Sequence, residues 1–325
     1  MGPVTHLSRL LAALFVTLVL GVTLAPAAAA ATVAFTFSDS RITAPVGLAV
    51  DGEHRVYWTS NAGKSASTAI YAVAPDGSVA ARLTYQLAAT DTFAIAYDGG
   101  RVFVGDRQSA GTLQVSYVTP AATLANAQIA FRSWDFAYSD TKQVPVAILV
   151  GPATQLYVVM ESGQIFAAPA QPSATATNRL TKVGDGPAGV VGGTFDAGLL
   201  ILRTATELVA VQPTGFTVTA RATTPEQAGA RGVTGSLNDS QYMLSGQGVG
   251  SPVFIAPGPG AQGSGSPSVS ASASGSGTAE PTAAASGESA APIEGEKANQ
   301  TGTMVAIGGA IVLALAAGVV TALRR

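Results

Sequence analysis

The chain has 325 residues, with 17 Lys and Arg against 19 Asp and Glu, and it contains no cysteine. Its formal net charge of −2 and its singly scattered basic residues give no positive field, so we exclude a nucleic-acid partner. Without cysteine, neither a disulfide framework nor a thiolate metal site is available, and the fold must be stabilised by burial.

Two uninterrupted apolar runs lie near the ends of the chain. The first, Leu10 to Leu24, follows Arg9 and leads into small residues up to Ala31, which is typical of a secretory signal peptide. The second, Met304 to Leu323, is uncharged, is followed by two arginines, and is long enough to cross the hydrocarbon core as a helix. We therefore predict a signal peptide at 1–31, a single transmembrane helix at 303–323 and a cytoplasmic tail at 324–325.

The part between these runs divides into two segments of different composition. Residues 256–302 are rich in Gly, Ser, Ala and Pro and cannot bury enough apolar surface to offset the entropy of ordering. This pattern predicts a disordered stalk with a root-mean-square span of about 35 to 40 Å. Residues 32–255 are varied, and we predict that they form one extracytoplasmic folded domain, held near the membrane by the stalk.

Short apolar runs repeat through residues 32–255 at intervals of about 40 to 50 residues, a period that suggests propeller blades. Each repeat begins with an apolar run, followed by a turn and two or three further strand-like runs. The opening runs are Val46 to Val50, Phe93 to Tyr97, Val146 to Val150, Ala188 to Val191 and Ala230 to Val233. The sequence therefore predicts an all-β domain, a β-propeller of about five four-stranded blades.

The fourth strands are predicted at Ala81 to Tyr85, Ile129 to Trp134, Arg179 to Lys182 and Phe216 to Ala220. The fifth unit lacks one, because the stalk begins there, and the run Val33 to Phe37 has no partner of its own. We predict that this N-terminal run completes the fifth blade, since ring closure removes exposed strand edges. A pair of β-sandwich domains is the alternative, because short strands with frequent turns fit both architectures.

The first unit carries the sharpest motifs: Val56-Tyr57-Trp58-Thr59-Ser60 in its second strand and Asp76-Gly77-Ser78 after its third. These residues resemble a blade of the YWTD and NHL-like propeller families. The resemblance implies that Tyr57 and Trp58 pack between blades and that Asp76-Gly77 joins the third strand to the fourth, which is a scaffold role. YWTD propellers typically have six blades, so six is the alternative count. The cysteine-free, Ala-, Gly- and Val-rich composition is typical of high-GC Gram-positive bacteria.

In a propeller, the loops that enter the innermost strands and the loops that join the second and third strands lie on one face. We predict that polar residues of these loops form a ligand-binding ring at the mouth of a central tunnel. The entry loops offer Arg41, Asp91, Lys142, Asp185 and Arg231, and the other loops offer Asn61, Asp106, Arg107, Glu161 and Gln247. The mixed signs favour a polar ligand or a protein loop over a metal ion.

One local cluster, with aromatics beside acids, is a candidate carbohydrate contact: Trp134, Asp135, Tyr138 and Asp140. His54 follows the predicted signal peptide as the only remaining histidine, and its place in the turn after Asp51 predicts an exposed hairpin and no catalytic triad. Gly189, Gly192 and Gly193 follow no phosphate-loop pattern and are interpreted as turn residues.

These observations predict a binding or scaffolding module for an extracellular protein or glycan, displayed on the outer side of the cell membrane. We expect no cofactor, no metal and no catalytic residue. An extracellular hydrolase or lactonase is the second hypothesis, and a purely structural surface protein is the third. Convergence of Asp91, Asp106, Glu161 or Asp185 on one point would favour metal-dependent catalysis.

Overall fold

The computed structural model describes residues 31–238 and 240–260, in which five sheets, antiparallel except for two short parallel edge pairs, and one short 3₁₀ turn, Pro152–Thr154, are found. The innermost strands of the five sheets contact one another in a closed ring, so the sheets are the blades of a five-bladed β-propeller. The predicted propeller is confirmed, and the alternatives of six blades or two sandwiches are wrong. Within the described residues no helix is long and apolar enough to cross a membrane; the predicted signal peptide and transmembrane helix lie outside them.

Blades 1 and 2 each have four antiparallel strands and short additional strands at their edges. Blade 1 consists of β2 (Ala49–Asp51), β3 (Val56–Ser60), β5 (Thr68–Val73) and β6 (Val79–Tyr85). Blade 2 consists of β7 (Ala89–Asp98), β8 (Arg101–Ser109), β9 (Thr112–Val118) and β11 (Arg132–Ala137). The short strands are β4 (Gly63–Ser65) beside β7, β10 (Ala127–Gln128) beside β6 and β15 (Asn178–Arg179) beside β11.

Blades 3, 4 and 5 each have four strands. Blade 3 consists of β12 (Pro145–Gly151), β13 (Gln155–Met160), β14 (Gln164–Ala167) and β16 (Thr181–Asp185). Blade 4 consists of β17 (Gly192–Asp196), β18 (Leu199–Arg203), β19 (Glu207–Val211) and β20 (Val218–Thr223). Blade 5 consists of β21 (Ala230–Gly235), β22 (Tyr242–Gly246), β23 (Pro252–Ala256) and β1 (Thr32–Thr36).

The ring is closed by the N-terminal strand, as predicted. In blade 5, β1 pairs antiparallel with β23, and Thr32 lies opposite Ile255 while Thr36 lies opposite Pro252. The buried side of β1 is anchored by Phe35, which is 5% exposed and lies 5.7 Å, ring centre to ring centre, from both Phe37 and Tyr57. The first and last strands of the domain are therefore hydrogen-bonded neighbours.

The strand order defines two faces. The entry face carries the connections into each innermost strand and between second and third strands; the turn face carries the other connections. Because Thr32 and Ala256 lie at the end of blade 5 where β22 begins, both chain ends leave the propeller on the turn face. The entry face is therefore opposite both ends.

Each junction between neighbouring blades contains one hydrophobic core, and successive residues of a strand contribute to the cores on its two sides. Trp58 is fully buried in the core between blades 1 and 2, and Tyr57 is buried in the core between blades 5 and 1. Asp76 and Gly77 lie in the turn between β5 and β6. These positions agree with the scaffold roles that the propeller resemblance implies.

The connection between the third and fourth strands of each of blades 1 to 4 lies against the outer strand of the blade before it. Ser38 N donates to Gly77 O, Ile129 N to Thr84 O and Leu180 N to Ala137 O. The Phe216 ring occupies the space above Gly184 in β16. Strand predictions therefore failed here: Ile129 and Phe216 belong to these connections, so β11 begins only at Arg132 and β20 at Val218.

At the axis, three blades meet backbone to backbone through glycine. A Cβ atom on Gly192 would lie 1.9 Å from Arg231 O, and one on Gly232 would lie 2.3 Å from Gly47 Cα. The interpretation of Gly192 and Gly193 as turn residues is wrong, because both lie in the innermost strand β17. Glycine is required here because no side chain fits between the innermost strands.

We expect Gly192→Ala to destabilise the propeller by at least about 1 to 3 kcal/mol, because the added methyl group would overlap the backbone of blade 5, which cannot move away. Gly52→Ala is the matched control, since a Cβ at Gly52 has no atom within 4 Å. Chemical denaturation of the full chain measures both. Equal midpoints for the two variants would contradict axial close packing.

Ring closure predicts a large difference between two residues of β1. Phe35→Ala should lower the free energy of unfolding by about 3 to 5 kcal/mol, because it leaves a cavity in the junction between blades 5 and 1. Val33→Ala, on the same strand but 51% exposed, should change it little. Thermal and denaturant unfolding test this, and a small effect of Phe35→Ala would show that β1 is dispensable for closure.

Candidate functional site

The propeller axis is closed. The void between the innermost strands has a volume of about 10 Å³ and is lined by glycine, alanine, valine, leucine and isoleucine. That volume is at the lower limit for one water molecule. The predicted tunnel mouth therefore provides no cavity, and a ligand site on the entry face must lie away from the axis.

Most residues of the predicted ring bond within their own blades and do not converge on the axis. In blade 1, Asn61 Nδ2 donates to Arg41 O at 2.7 Å, and in blade 5 Arg231 Nη2 donates to Gln247 Oε1 at 3.2 Å. In blade 3, Glu161 is tied by its backbone, whose N–H donates to Val144 O. Asp185, predicted in an entry loop, ends strand β16 and pairs with Lys182 at 2.8 Å.

Asn61 and Asp106 occupy equivalent positions in blades 1 and 2, and each accepts hydrogen bonds from two successive backbone N–H groups. Asn61 Oδ1 accepts from the N–H groups of Thr43 and Ala44, the entry connection of blade 1. Asp106 accepts from the corresponding N–H groups of Thr90, at 3.0 Å, and Asp91, at 2.6 Å. Asn61 thus fixes the entry connection of blade 1, and Asp106 fixes the first residues of β7. The predicted loop positions are wrong in blade 2, because Asp91 lies in β7 and both Asp106 and Arg107 lie in β8.

Burial raises the pKa of Asp106, and the two backbone hydrogen bonds oppose that rise only in part. Asp106 Oδ2 also accepts from Gln108 Nε2, and the Thr90 hydroxyl donates to Gln108 Oε1 at 3.3 Å. The network holds the side chains of Thr90 and Gln108 in place before any ligand arrives. Such preorganisation lowers the ordering cost of binding.

A groove of about 350 Å³ opens on the entry face between blades 2 and 3, which we call the 2–3 groove. Its volume is at the small end of the usual range for ligand sites. Charged, amide and hydroxyl side chains predominate in its lining, which consists of Thr90, Asp91, Arg107, Gln108, Ser109, Ala110, Tyr138, Thr141, Lys142, Gln143, Val144 and Pro145. Three residues of the predicted ring, Asp91, Arg107 and Lys142, thus come together in one site.

Arg107 is the fixed cation of the 2–3 groove. Its Nε pairs with Asp91 Oδ2 at 2.8 Å, and its Nη1 donates to Pro145 O of blade 3 at 3.4 Å. Its guanidinium carbon lies 5.4 Å from the centre of the Phe93 ring, a cation–π distance. Its remaining nitrogen, Nη2, contacts no acceptor among the described residues, and its side chain is 24% exposed. The guanidinium therefore has an available donor.

The opposite wall of the 2–3 groove comes from the connection into blade 3. Asp140 accepts from Gln143 Nε2 at 3.0 Å and from the Lys142 N–H at 3.1 Å, and these bonds together with the Lys142 charge hold the pKa of Asp140 below its usual value. The Tyr138 hydroxyl donates to Gln143 O at 3.3 Å. The Lys142 side chain forms no salt bridge within the described part of the chain.

The predicted carbohydrate cluster is split between two places. Tyr138 lines the groove and Asp140 supports its wall. Trp134 and Asp135 lie instead on the outer strand β11, where Trp134 packs 4.9 Å from Tyr117 and Asp135 accepts from Gln114. Adjacent positions in the sequence diverge here because the strand ends at Ala137 and the chain then turns toward blade 3.

A buried cation was missed from the sequence. Arg203, at the end of β18, is fully buried, and its Nη1 donates to Gly232 O at 2.8 Å and to Ser245 O at 2.7 Å in blade 5. Its Nη2 donates to Gln227 Oε1 at 2.7 Å. No carboxylate pairs with it among the described residues, and burial lowers its pKa to about 10. A single arginine at the end of an apolar strand gives no indication in the sequence that its side chain is buried.

The hairpin of His54 is exposed at Gly52, Glu53 and Arg55, and His54 itself is held by Asp51, the fully buried last residue of β2. Asp51 Oδ2 accepts from Trp58 Nε1 at 2.9 Å and bonds His54 Nδ1 at 2.7 Å, and the His54 side chain is 13% exposed. His54 Nε2 lies 3.1 Å from Ala121 O of blade 2. The predicted exposed hairpin is found, but its histidine is half-buried, and the contacts of His54 fasten blade 1 to blade 2 on the turn face.

No group of three or more His, Asp or Glu side chains within residues 31–238 and 240–260 is arranged to hold a metal ion. Asp91 and Asp106 do come close, but each is already engaged. Asp91 pairs with Arg107, and Asp106 caps backbone N–H groups. The arrangement of these acids serves to fix Arg107 and the first residues of β7.

No family model and no curated protein sequence matches this chain. Among solved structures, it is similar to Myxococcus xanthus glutaminyl cyclase, with 10% identity, a TM-score of 0.46 and coverage of 70% of this chain and 95% of that chain. It is also similar to a Xanthomonas campestris gluconolactonase, with 13% identity, a TM-score of 0.40 and coverage of 66% and 86%. The Malassezia sympodialis allergen Mala s 1 has 15% identity, a TM-score of 0.39 and coverage of 65% and 74%. Likeness at this level carries no argument about activity.

The equivalence of Asn61 and Asp106 predicts unequal effects of two substitutions. Asp106→Ala should cost about 1 to 3 kcal/mol of stability, because the N–H groups of Thr90 and Asp91 lose their acceptor. Asp106→Asn should be nearly neutral at pH 7, since Asn61 shows that an amide oxygen can accept from both positions.

The pH dependence has a definite sign. Because the pKa of Asp106 is raised in the folded chain, the folded state holds this proton more tightly than the unfolded state. The natural chain should therefore lose stability relative to Asp106→Asn as the pH rises from the unfolded pKa, about 3.9, through the folded pKa. Denaturation of both proteins across this range measures the difference, and the opposite slope would contradict the burial of an ionisable carboxyl.

Proposed function

We propose that the chain is a membrane-tethered, extracytoplasmic binding module whose entry face takes a small polar ligand in the 2–3 groove. The observation that carries this proposal is the available Nη2 donor of Arg107, held by Asp91 and Pro145 beside an open groove of about 350 Å³. Fixed donors in a concave, partly apolar site are what ligand recognition requires.

The position of the chain ends supports presentation of this face. Thr32 and Ala256 both lie on the turn face, so a stalk that follows Ala256 leaves the propeller opposite the 2–3 groove. The residues that follow Ala256 within the described part of the chain therefore do not cover the groove.

Recognition fits the groove better than the alternative of hydrolysis. A general acid and base, or a metal site, would need acidic groups directed at one reacting atom. Here Asp91 is neutralised by Arg107, and the Asp106 carboxyl is 6% exposed and turned toward backbone N–H groups. The groups left to face the groove are donors and acceptors for hydrogen bonds.

Two matched substitutions test the site with the purified full chain on an array of defined glycans and peptides. Ala110→Trp places a large ring in the 2–3 groove, whose edge Ala110 forms, and should abolish retention by the bound array elements. Ala174→Trp adds the same ring to an exposed residue in the third-to-fourth-strand connection of blade 3, on the turn face, and should leave retention unchanged. Equal retention of the two variants would remove the groove as the binding site.

A further inference from the structure

We propose that the 2–3 groove binds a sugar acid, a pyranose ring that carries a carboxylate, with the carboxylate placed between Arg107 and Lys142. This inference rests on the proposed function, because it names the chemistry of the ligand for the same groove. It comes from a comparison between two junctions of the propeller that use arginine in the same way.

At both junctions an arginine from the second strand of one blade reaches the innermost strand of the next blade. Arg107 of β8 donates to Pro145 O in β12, and Arg203 of β18 donates to Gly232 O in β21. Each guanidinium thus joins two blades just below the entry face. The junctions differ in what covers the arginine: Arg203 is fully buried, whereas Arg107 is 24% exposed.

Between blades 4 and 5, the chain supplies its own acceptor for the arginine. The Gln227 side chain places Oε1 on Arg203 Nη2 at 2.7 Å, and its Nε2 donates to Pro252 O at 2.7 Å. Gln227 belongs to the connection into blade 5, which therefore closes over the guanidinium. An sp² oxygen thus completes the hydrogen bonds of Nη2 at this junction.

Between blades 2 and 3, the corresponding connection turns its glutamine away. Gln143 donates from Nε2 to Asp140 Oδ2, and its Oε1 accepts from the Ser162 hydroxyl, so no amide reaches Arg107. Arg107, which lines the groove, therefore lacks the amide acceptor that Gln227 Oε1 supplies to Arg203 Nη2. A ligand that brings an sp² oxygen to Arg107 Nη2 would complete the same arrangement.

The charges around the 2–3 groove favour a carboxylate as the source of that oxygen. Two cations, Arg107 and Lys142, line the groove against one carboxylate, Asp91, which already pairs with Arg107 Nε. Two further carboxylates lie nearby but do not line the groove: Asp140 accepts from Gln143 Nε2 and the Lys142 N–H, and Asp106, which is 6% exposed, accepts from the N–H groups of Thr90 and Asp91. A carboxylate bound to guanidinium through a charge-assisted hydrogen bond gains more than a neutral carbonyl does.

The rest of the lining favours a hydroxylated ring over an apolar one. Hydroxyl and amide groups surround the charged pair, and the groove volume of about 350 Å³ holds a compact ligand of one or two rings. Hydroxyls can both donate and accept, so they suit the several hydroxyl groups of a pyranose. These groups are Thr90, Gln108, Ser109, Thr141 and Gln143.

The experiment titrates the purified full chain with glucuronate, glucose and glutarate at low salt, where partly exposed charges are least screened. We expect glucuronate to bind at least about tenfold more tightly than glucose, which lacks the carboxylate, and than glutarate, which lacks the ring. Isothermal titration calorimetry gives the three dissociation constants.

Charge variants provide the second measurement. Lys142→Gln should weaken glucuronate binding about three- to tenfold, and Asp91→Asn should strengthen it about two- to fivefold, because they change the groove charge in opposite directions. Lys182→Gln, on the exposed strand β16, is the matched control and should have no effect. Lys142 is exposed, so its substitution should leave folding intact.

Binding of glucose as tight as that of glucuronate would show that the carboxylate is not recognised. Binding of glutarate as tight as that of glucuronate would show that the sugar ring is not recognised. No binding of any probe would overturn the sugar acid altogether. The array experiment with Ala110→Trp separates these failures from failure of the site: if that variant still loses retention, the groove is a binding site for another ligand.

Discussion

The architecture depends on backbone contact at the propeller axis. Gly47, Gly192 and Gly232 let the innermost strands of blades 1, 4 and 5 approach until no side chain fits between them, and the void left there is about 10 Å³. This contact allows five blades to close with a filled centre. It also removes the axial channel, so the polar loops of the entry face cannot converge on one ligand at the axis. Open space on this face remains instead at the junction between blades 2 and 3.

The junctions share their cores and differ in their connections. Each has an apolar core that keeps the blades in register, and above that core the entry connection decides whether the surface is filled or open. Between blades 4 and 5 the connection closes over Arg203 with Gln227, and Gly246 leaves room for it, because a Cβ there would lie 2.9 Å from Ala228 O. Between blades 2 and 3, hydrogen bonds turn Gln143 toward Asp140. One glutamine side chain thus distinguishes a sealed junction from a groove.

The sequence pattern predicts the parts of this structure that depend on periodicity. The alternation of apolar runs and turns was sufficient to predict five blades, four strands in each blade, and closure of the ring by β1. The pattern failed at two residues whose type is misleading. Phe216 is apolar but takes a positive φ of 50° in a turn. Gly192 lies in a strand, and glycine is needed there because the backbone of blade 5 lies against it. The site could be predicted only as a set of loops. That Arg107 meets Pro145 and that Trp134 turns away from Tyr138 depend on the twist of the blades, which the residue pattern does not contain.

Closure by the N-terminal strand also determines how the domain would bear a load from a stalk. The strand that leads to Ala256, β23, is not at the edge of its blade but lies between β22 and β1. Its ladder hydrogen bonds run across the strand direction on both sides. A pull along the chain beyond Ala256 therefore acts on two ladders in shear instead of opening one bond at a time from an edge. If β1 were absent, β23 would be the outer strand, held by one neighbour. The strand that completes the ring thus also secures the strand by which the chain leaves the propeller, on the face opposite the 2–3 groove.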